Sequence, residues 1–224
     1  MLSYIGDIMS GNFSFIDFLV HFLSMAFVIF CAAPLHEFAH ALIAVKLGDN
    51  TPRNMGRLTI NPAVHIDKRG ALMIFLFGFG YARPVEVRMR NFKNPKRDMA
   101  LVALAGPVSN LIQAFIAMIF YNLFKHVAYS VDSVIYVAMF FYFAAIINAN
   151  LAVFNLIPIP PLDGSRLATA LLPAKYYYKI MQYERYISIA LVVLLFTGIL
   201  STPLGIISGL VISLFDTITA IPFA

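Results

Sequence analysis

The chain has a single cysteine, Cys31, among 224 residues. That excludes an internal disulfide framework and a zinc cluster built on thiolates. It also has little charge. Asp, Glu, Lys and Arg make up 12% of the residues against 61% hydrophobic, and the mean hydropathy is +0.83. Soluble domains are about half apolar and a quarter charged, so no soluble core could hide this much apolar surface. The class implied is an integral membrane protein. The N-terminal stretch MLSYIGDIMSGNFSFIDF has no basic region of the kind that opens a cleaved signal peptide. No repeat, low-complexity tract or flexible linker divides the chain, so a single membrane-embedded domain over 1–224 is expected. The formal charge of +5 raises nucleic acid as a partner, but basic loops beside membrane spans account for it better. Membrane lipid is the expected surroundings, and nucleic acid is not an expected partner.

Uncharged runs of about 18 residues or more are candidate spans. Four are present: 18–35, continuing as helix through Val45; 99–124; 133–154; and 186–215, interrupted by GILSTPLG. The last, with Pro203 inside it, reads either as one span or as a kinked hairpin. The shorter run ALMIFLFGFGYA (71–82) has the length of a re-entrant or interfacial segment. The expected fold is therefore all-α and polytopic, with about four to five transmembrane helices and a small re-entrant or β-hairpin element near the cytoplasmic face. Charge orients it. Of the 16 Lys and Arg, 11 lie in 46–98, four in 157–185, and only Lys125 elsewhere. Two spans separate the rich stretches, which places both on one side, the cytoplasmic one by the positive-inside rule. Residues 1–17 and 216–224 carry Asp7, Asp17 and Asp216 and no basic group, as expected of ends lying outside.

Within the first apolar run stand three groups that dislike hydrocarbon: His36, Glu37 and His40, in HEFAH. Residues i and i+4 share a helix face, so both imidazoles can hold one zinc ion while Glu37 reaches a water beside it. A chance occurrence in a soluble chain is common, but ionisable groups inside a span are expensive and usually functional. Two histidines do not complete a hydrolytic site, which takes three protein ligands and one open position.

The second constellation is NLIPIPPLDGSR, Asn155 to Arg166. Pro158, Pro160 and Pro161 break helical continuation. Irregular backbone at membrane depth is tolerated where it is buried in protein or lines a wet cavity, so Asp163 can point into one. His40 precedes the basic boundary at Lys46 by six residues, about 9 Å of helix. Asp163 follows the third span on the same side. Aspartate is an ordinary zinc ligand. Capping of the helix GSRLATALL is the commoner role for such a residue, but beside HEFAH the ligand role is favoured.

HEFAH on a hydrophobic helix, paired with NLIPIPPLDG, resembles the site-2 proteases, zinc metalloproteases that cleave within membranes. GRLTINPAVHID (56–67), ARPVEVRMRNFKNPKRDMALVALAGPVSN (82–110) and PLDGSR are similar to its short bacterial and archaeal branch. The resemblance covers about residues 30–175. It implies that His36, His40 and Asp163 are the metal ligands, that Glu37 is the catalytic base, and that Asn155 handles substrate or the oxyanion. It implies Zn2+ as cofactor and a transmembrane protein as substrate. Many relatives carry a PDZ or CBS domain; the 53-residue basic stretch 46–98 is too short and too apolar for a typical one.

Other residues carry weaker signals. GRLTI (56–60) alternates polar and apolar, as a strand edge that could pair with an unwound substrate would, or as a structural hairpin. His65 reads as an ordinary hydrogen-bonded loop histidine, the alternative being a partner that supports a metal ligand, His21 as lying near the opposite interface, and His126 as a loop residue. AGPVSN (105–110) supplies small residues for close helix approach, with Ser109 and Asn110 able to bond across the bundle. YYYK (176–179) reads as an interfacial anchor. The competing class is a non-proteolytic metal-binding membrane protein or divalent-cation transporter. It is disfavoured because the outer halves of spans two to four carry almost no polar groups. A purely structural scaffold would hold no metal at all.

Overall fold

The computed structural model describes residues 14–67, 70, 72–73, 83–171, 175, 179–180 and 182–223. Six longer helices carry the architecture: α1 (Phe15–Lys46), α2 (Pro95–Ala128), α3 (Ile135–Asn155), α4 (Asp163–Leu171), α5 (Glu184–Phe196) and α6 (Ser201–Ala220). Among the described residues, four helical stretches are long and apolar enough to cross a membrane: Phe15–Lys46, Pro95–Ala128, Asp132–Asn155 and Ser201–Phe223. The expected run 71–82 lies outside the described residues except for Leu72 and Met73, and so do the N-terminal stretch through Phe13 and Tyr176–Tyr178 of the aromatic anchor.

α2 is the central helix and touches α1, α3, α4 and α6. Its N-terminus is well specified: Pro95 occupies the first turn, where its missing N–H is no loss, and Asp98 Oδ2 accepts from the Asn94 N–H at 3.0 Å. Against α3 it presents Ala114, Ala117 and Met118, facing Ala144, Ala145 and Ala149. Small side chains let two helices approach closely where lipid offers no hydrophobic drive. One turn further out, Phe120 stacks on Phe141 and Tyr121 lies tilted against Tyr142, each pair with centroids 5.0 Å apart.

The fourth apolar run is divided inside GILSTPLG, the interruption at which the sequence leaves one span or a kinked hairpin open. Gly198, at φ +73°, breaks it; only glycine takes that backbone freely. α5 stops before the break and the crossing helix is α6, which continues past Phe215. Pro203 sits in the first turn of α6, where it kinks nothing. A cleft lined by Val153, Leu156, Ile157, Leu200 and Pro203 sets the start of α6 beside the end of α3. Its other end meets α2 through Asn122, whose Nδ2 donates to Asp216 Oδ1 at 2.9 Å and Thr219 Oγ1 at 2.8 Å. Asp216 therefore belongs to a helix rather than a tail, and the outer halves of the spans are less apolar than the sequence alone indicates. These groups satisfy one another between two helices.

Gly56–Ile60 forms a turn and bends, with no strand among the described residues. The expected β element is thus absent there. Thr59 instead spends its carbonyl on His65 Nε2, at 2.7 Å, and Arg57 Nη1 donates to the Val64 carbonyl.

Candidate active site

α1 is not a uniform α-helix. Residues Val28–Ala32 form a π-turn just before the HEFAH turn. The cause is local: Pro34 has no N–H and its ring pushes against the carbonyl four residues earlier, that of Phe30. A π-turn adds one residue and rotates the helix beyond it by about 100°. Before the turn, the buried stripe contains Val20 and Ser24, and Ser24 Oγ donates to the Phe140 carbonyl of α3 at 3.0 Å. Three unbroken α-helical turns beyond Ser24 lies Leu35, which is 37% exposed. The π-turn puts His36, Glu37 and His40 on the inner face instead, all buried, against α2. Gln113 of α2 reaches into the turn, its Nε2 lying 3.4 Å from the Ala32 carbonyl. Gln113 Nε2 also donates to Ser109 Oγ at 3.2 Å, so Ser109 bonds within α2 and not across the bundle.

Three donor atoms converge. His36 Nε2 and His40 Nε2 are 3.0 Å apart, and each is 3.2 Å from Asp163 Oδ2. Zinc bound tetrahedrally by nitrogen and oxygen at 2.0–2.1 Å needs ligand atoms about 3.3–3.4 Å from one another, so the three atoms form one face of such a tetrahedron with slight contraction. The His40 tautomer fits as well. Its Nδ1 lies 2.7 Å from the Val102 carbonyl, which can only accept, so Nδ1 carries the proton and Nε2 keeps its lone pair for a metal. The His36 ring stands edge-on to that of His40, centroids 4.7 Å apart.

Gly106 of α2 lies directly under the pair. A Cβ there would fall 2.6 Å from His36 Nε2 and closer still to His40 Nε2. The sequence marks AGPVSN as a place for small residues; which ring the glycine makes room for is visible only in three dimensions.

Asp163 opens α4 after the proline-broken loop, and its Oδ2 lies on the histidines. Gly164 makes this possible: a Cβ there would come within 2.5 Å of the Leu156 carbonyl carbon and closer to the Leu156 and Ile157 oxygens. Gly164, next to Asp163, is thereby packed against the backbone that directly follows Asn155. Because these neighbours are main chain and cannot swing aside, Gly164→Ala is expected to destabilise the chain by about 1–3 kcal/mol, read as a lower thermal midpoint in detergent micelles. Asn155 ends α3, with Nδ2 donating to the Leu151 carbonyl at 3.0 Å. Glu37 Oε2 accepts from the Val85 N–H at 3.0 Å, a backbone contact for which the sequence holds no signal.

The remaining histidines stay out of this group. His21 packs edge-on against Phe143, His126 lies near Tyr129 and Phe223, and His65 is buried in its loop. Among the described residues, His36, His40 and Asp163 form the cluster able to hold a metal ion.

The family model for peptidase family M50 matches residues 24–199. The chain is 43% identical over 175 residues to the Bacillus subtilis protein named "Putative zinc metalloprotease YwhC", covering 76% of this chain and 77% of that one. It is 31% identical over 139 residues to "Putative zinc metalloprotease Rip2" of Mycolicibacterium smegmatis, covering 58% of this chain and 50% of the relative. It is 30% identical over 177 residues to "Zinc metalloprotease MJ0392" of Methanocaldococcus jannaschii, covering 78% of this chain and 42% of the relative. No solved structure matches.

Proposed function

Because the chain belongs to peptidase family M50 and is a zinc metalloprotease, we propose that it hydrolyses peptide bonds inside the membrane, within transmembrane segments of other proteins and towards the cytoplasmic side. The observation that carries this reading is the meeting of His36 Nε2, His40 Nε2 and Asp163 Oδ2 within hydrogen-bond distance of one another, the two histidines on a helix long and apolar enough to span a bilayer and the aspartate at the start of the short α4. His36, His40 and Asp163 are the residues that would hold zinc. When bound, zinc supplies Lewis acidity and makes water a usable nucleophile near neutral pH.

The chain's own groups do the rest. Glu37 has Oε2 on the Val85 N–H, which leaves Oε1 to take the proton of the attacking water and later to hand it to the leaving nitrogen. Asn155, at the end of α3, would hold the scissile carbonyl or the neighbouring substrate backbone. A helical substrate has its carbonyls occupied by its own hydrogen bonds, so the segment must unwind locally before attack. The apolar side chains that α1 and α6 leave exposed, Leu19, Leu23 and Phe27 on one and Ile206, Leu210 and Leu214 on the other, meet lipid. Charge supports the orientation: the stretches 46–98 and 157–185, which flank the HEFAH and Asp163 motifs, carry 15 of the 16 Lys and Arg, and the positive-inside rule then turns the site to the cytoplasm.

Metal analysis tests the assignment. Purified wild type is expected to carry about one zinc per chain, the number a single three-residue site holds. Asp163→Ala and His36→Ala are each expected to carry almost none and to lose cleavage. Undiminished zinc in both variants would remove the proposed centre.

A further inference from the structure

Glu37 is oriented from outside its own helix. The N–H on its Oε2 belongs to Val85, a buried residue on the irregular stretch 83–88. That strap is tied at both ends. Arg83 N–H donates to the His65 carbonyl at 2.7 Å, and Arg88 N–H donates to Asp49 Oδ2 at 2.7 Å. Asp49 is fully buried and stands three residues beyond Lys46, the last residue of α1. The chain reaches it through Gly48 at φ +112°, a backbone open to glycine and strained for other residues. Its two oxygens divide their work. Oδ1 accepts from Thr51 N–H at 3.0 Å, Thr51 Oγ1 at 2.6 Å and Asn91 Nδ2 at 2.7 Å, closing the turn after α1. Oδ2 takes the Arg88 N–H of the strap itself, and the Oδ1 bond to Asn91 lies three residues beyond it.

We propose that Asp49 is a positioning residue for peptide hydrolysis: by anchoring Arg88 it sets the Val85 N–H on Glu37 and fixes the rotamer of that carboxylate. The proposal rests on Glu37 as the base. Val85 and Arg88 are three residues apart, at most about 10 Å of chain, so once the Arg88 N–H is freed the nearest polar tie on that side is Asn91, three residues further on, and the Val85 amide gains play. Burial works against the charge on Asp49, but the Arg88, Thr51 and Asn91 donors outweigh it and hold its carboxyl below the usual carboxylate range. A folded-state value that is lowered means this stabilisation is complete above the unfolded value and is lost only as pH falls through the lowered one. The anchor therefore persists at neutral pH.

Asp49→Asn separates the two roles. With its amide oxygen in place of Oδ1 it keeps the three turn donors, and its NH2 then faces the Arg88 N–H, donor against donor. The assay uses purified, zinc-loaded chain in micelles and fluorescein-labelled β-casein, an unfolded chain that needs no unwinding. Expected are amide exchange at Val85–Arg88 at least about tenfold faster, kcat lower by about 10–100-fold as for other groups that orient metal-site residues, KM within about twofold and zinc content unchanged. Val85→Pro removes the same N–H from the other end. The double variant is expected to be no slower than the slower single one to within about twofold, because both break one linkage. Unchanged exchange in Asp49→Asn overturns the proposal, as does wild-type kcat despite faster exchange, a rise in KM alone, or losses that multiply in the double variant. Glu37→Gln run alongside separates the two failures. If it is inactive while Asp49→Asn cleaves normally, only the anchor is wrong. If Glu37→Gln cleaves normally, the base assignment falls and the anchor with it.

Discussion

Glu37→Gln is expected to keep its full zinc content while cleavage falls by about 100- to 10,000-fold, the range in which positioned acid–base groups contribute. Glutamine has the same length and shape, and its amide oxygen can still accept from the Val85 N–H that now meets Glu37 Oε2. The residue is buried at the His36 turn, so an isostere leaves the packing against α2 intact. What it lacks is a lone pair basic enough to take a proton from water. Turnover of labelled β-casein beside metal content by mass spectrometry checks both halves of the prediction. Full zinc with full turnover would remove Glu37 from the chemistry. Lost zinc with lost turnover would show damage to the centre and leave the proton step unread.

Gly106→Ala is the second large effect expected, although it adds one methyl group and touches no ionisable atom. Its Cβ would stand 2.6 Å from His36 Nε2 and nearer to His40 Nε2, where non-bonded heavy atoms rest at about 3.5 Å or more. Neither ring can turn aside freely: His40 is tied by Nδ1 to the Val102 carbonyl, and both rings are buried between α1 and α2. The helices must separate, or the rings tilt, by about 1 Å, a displacement that can cost about 100-fold in a preorganised site. Zinc affinity and kcat are expected to fall together by at least about that factor, while circular dichroism keeps the helical signal. Zinc titration against a competing chelator reads the first and casein turnover the second. Wild-type affinity in this variant would mean that the close approach of α2 is not what holds the pair.

The sequence makes much of this legible, and for physical reasons. Long uncharged runs must become helices in lipid, so the first three spans are readable from apolar length alone. His36 and His40 are readable because helical periodicity is strict. Asp163 comes from a distant stretch, and only the incompatibility of Pro158, Pro160 and Pro161 with a continuing helix points to a cavity edge there. The interruption at GILSTPLG was legible in the fourth run, and Gly198 at φ +73° is its break; the far end of the last helix, past Phe215 to Ala220, was not. Asp216 looked like part of a tail because its partner Asn122 is 94 residues away. GRLTI has strand-like alternation but forms bends, its backbone engaged with the His65 turn instead. Val85 acts through a peptide N–H, which every non-proline residue has, so no residue type could have marked it.

The π-turn at Val28–Ala32 bears on any attempt to transplant this chemistry. The five letters HEFAH do not specify where the rings will aim; that is decided one turn earlier, by a single surplus residue that screws the lower half of the rod round before the motif begins. Copied into a straight apolar helix whose upper half docks as this one does, the same letters would present their imidazoles to acyl chains. A designer would have to carry Pro34 and the wound segment along with the motif, or delete one position upstream to recover the same angle.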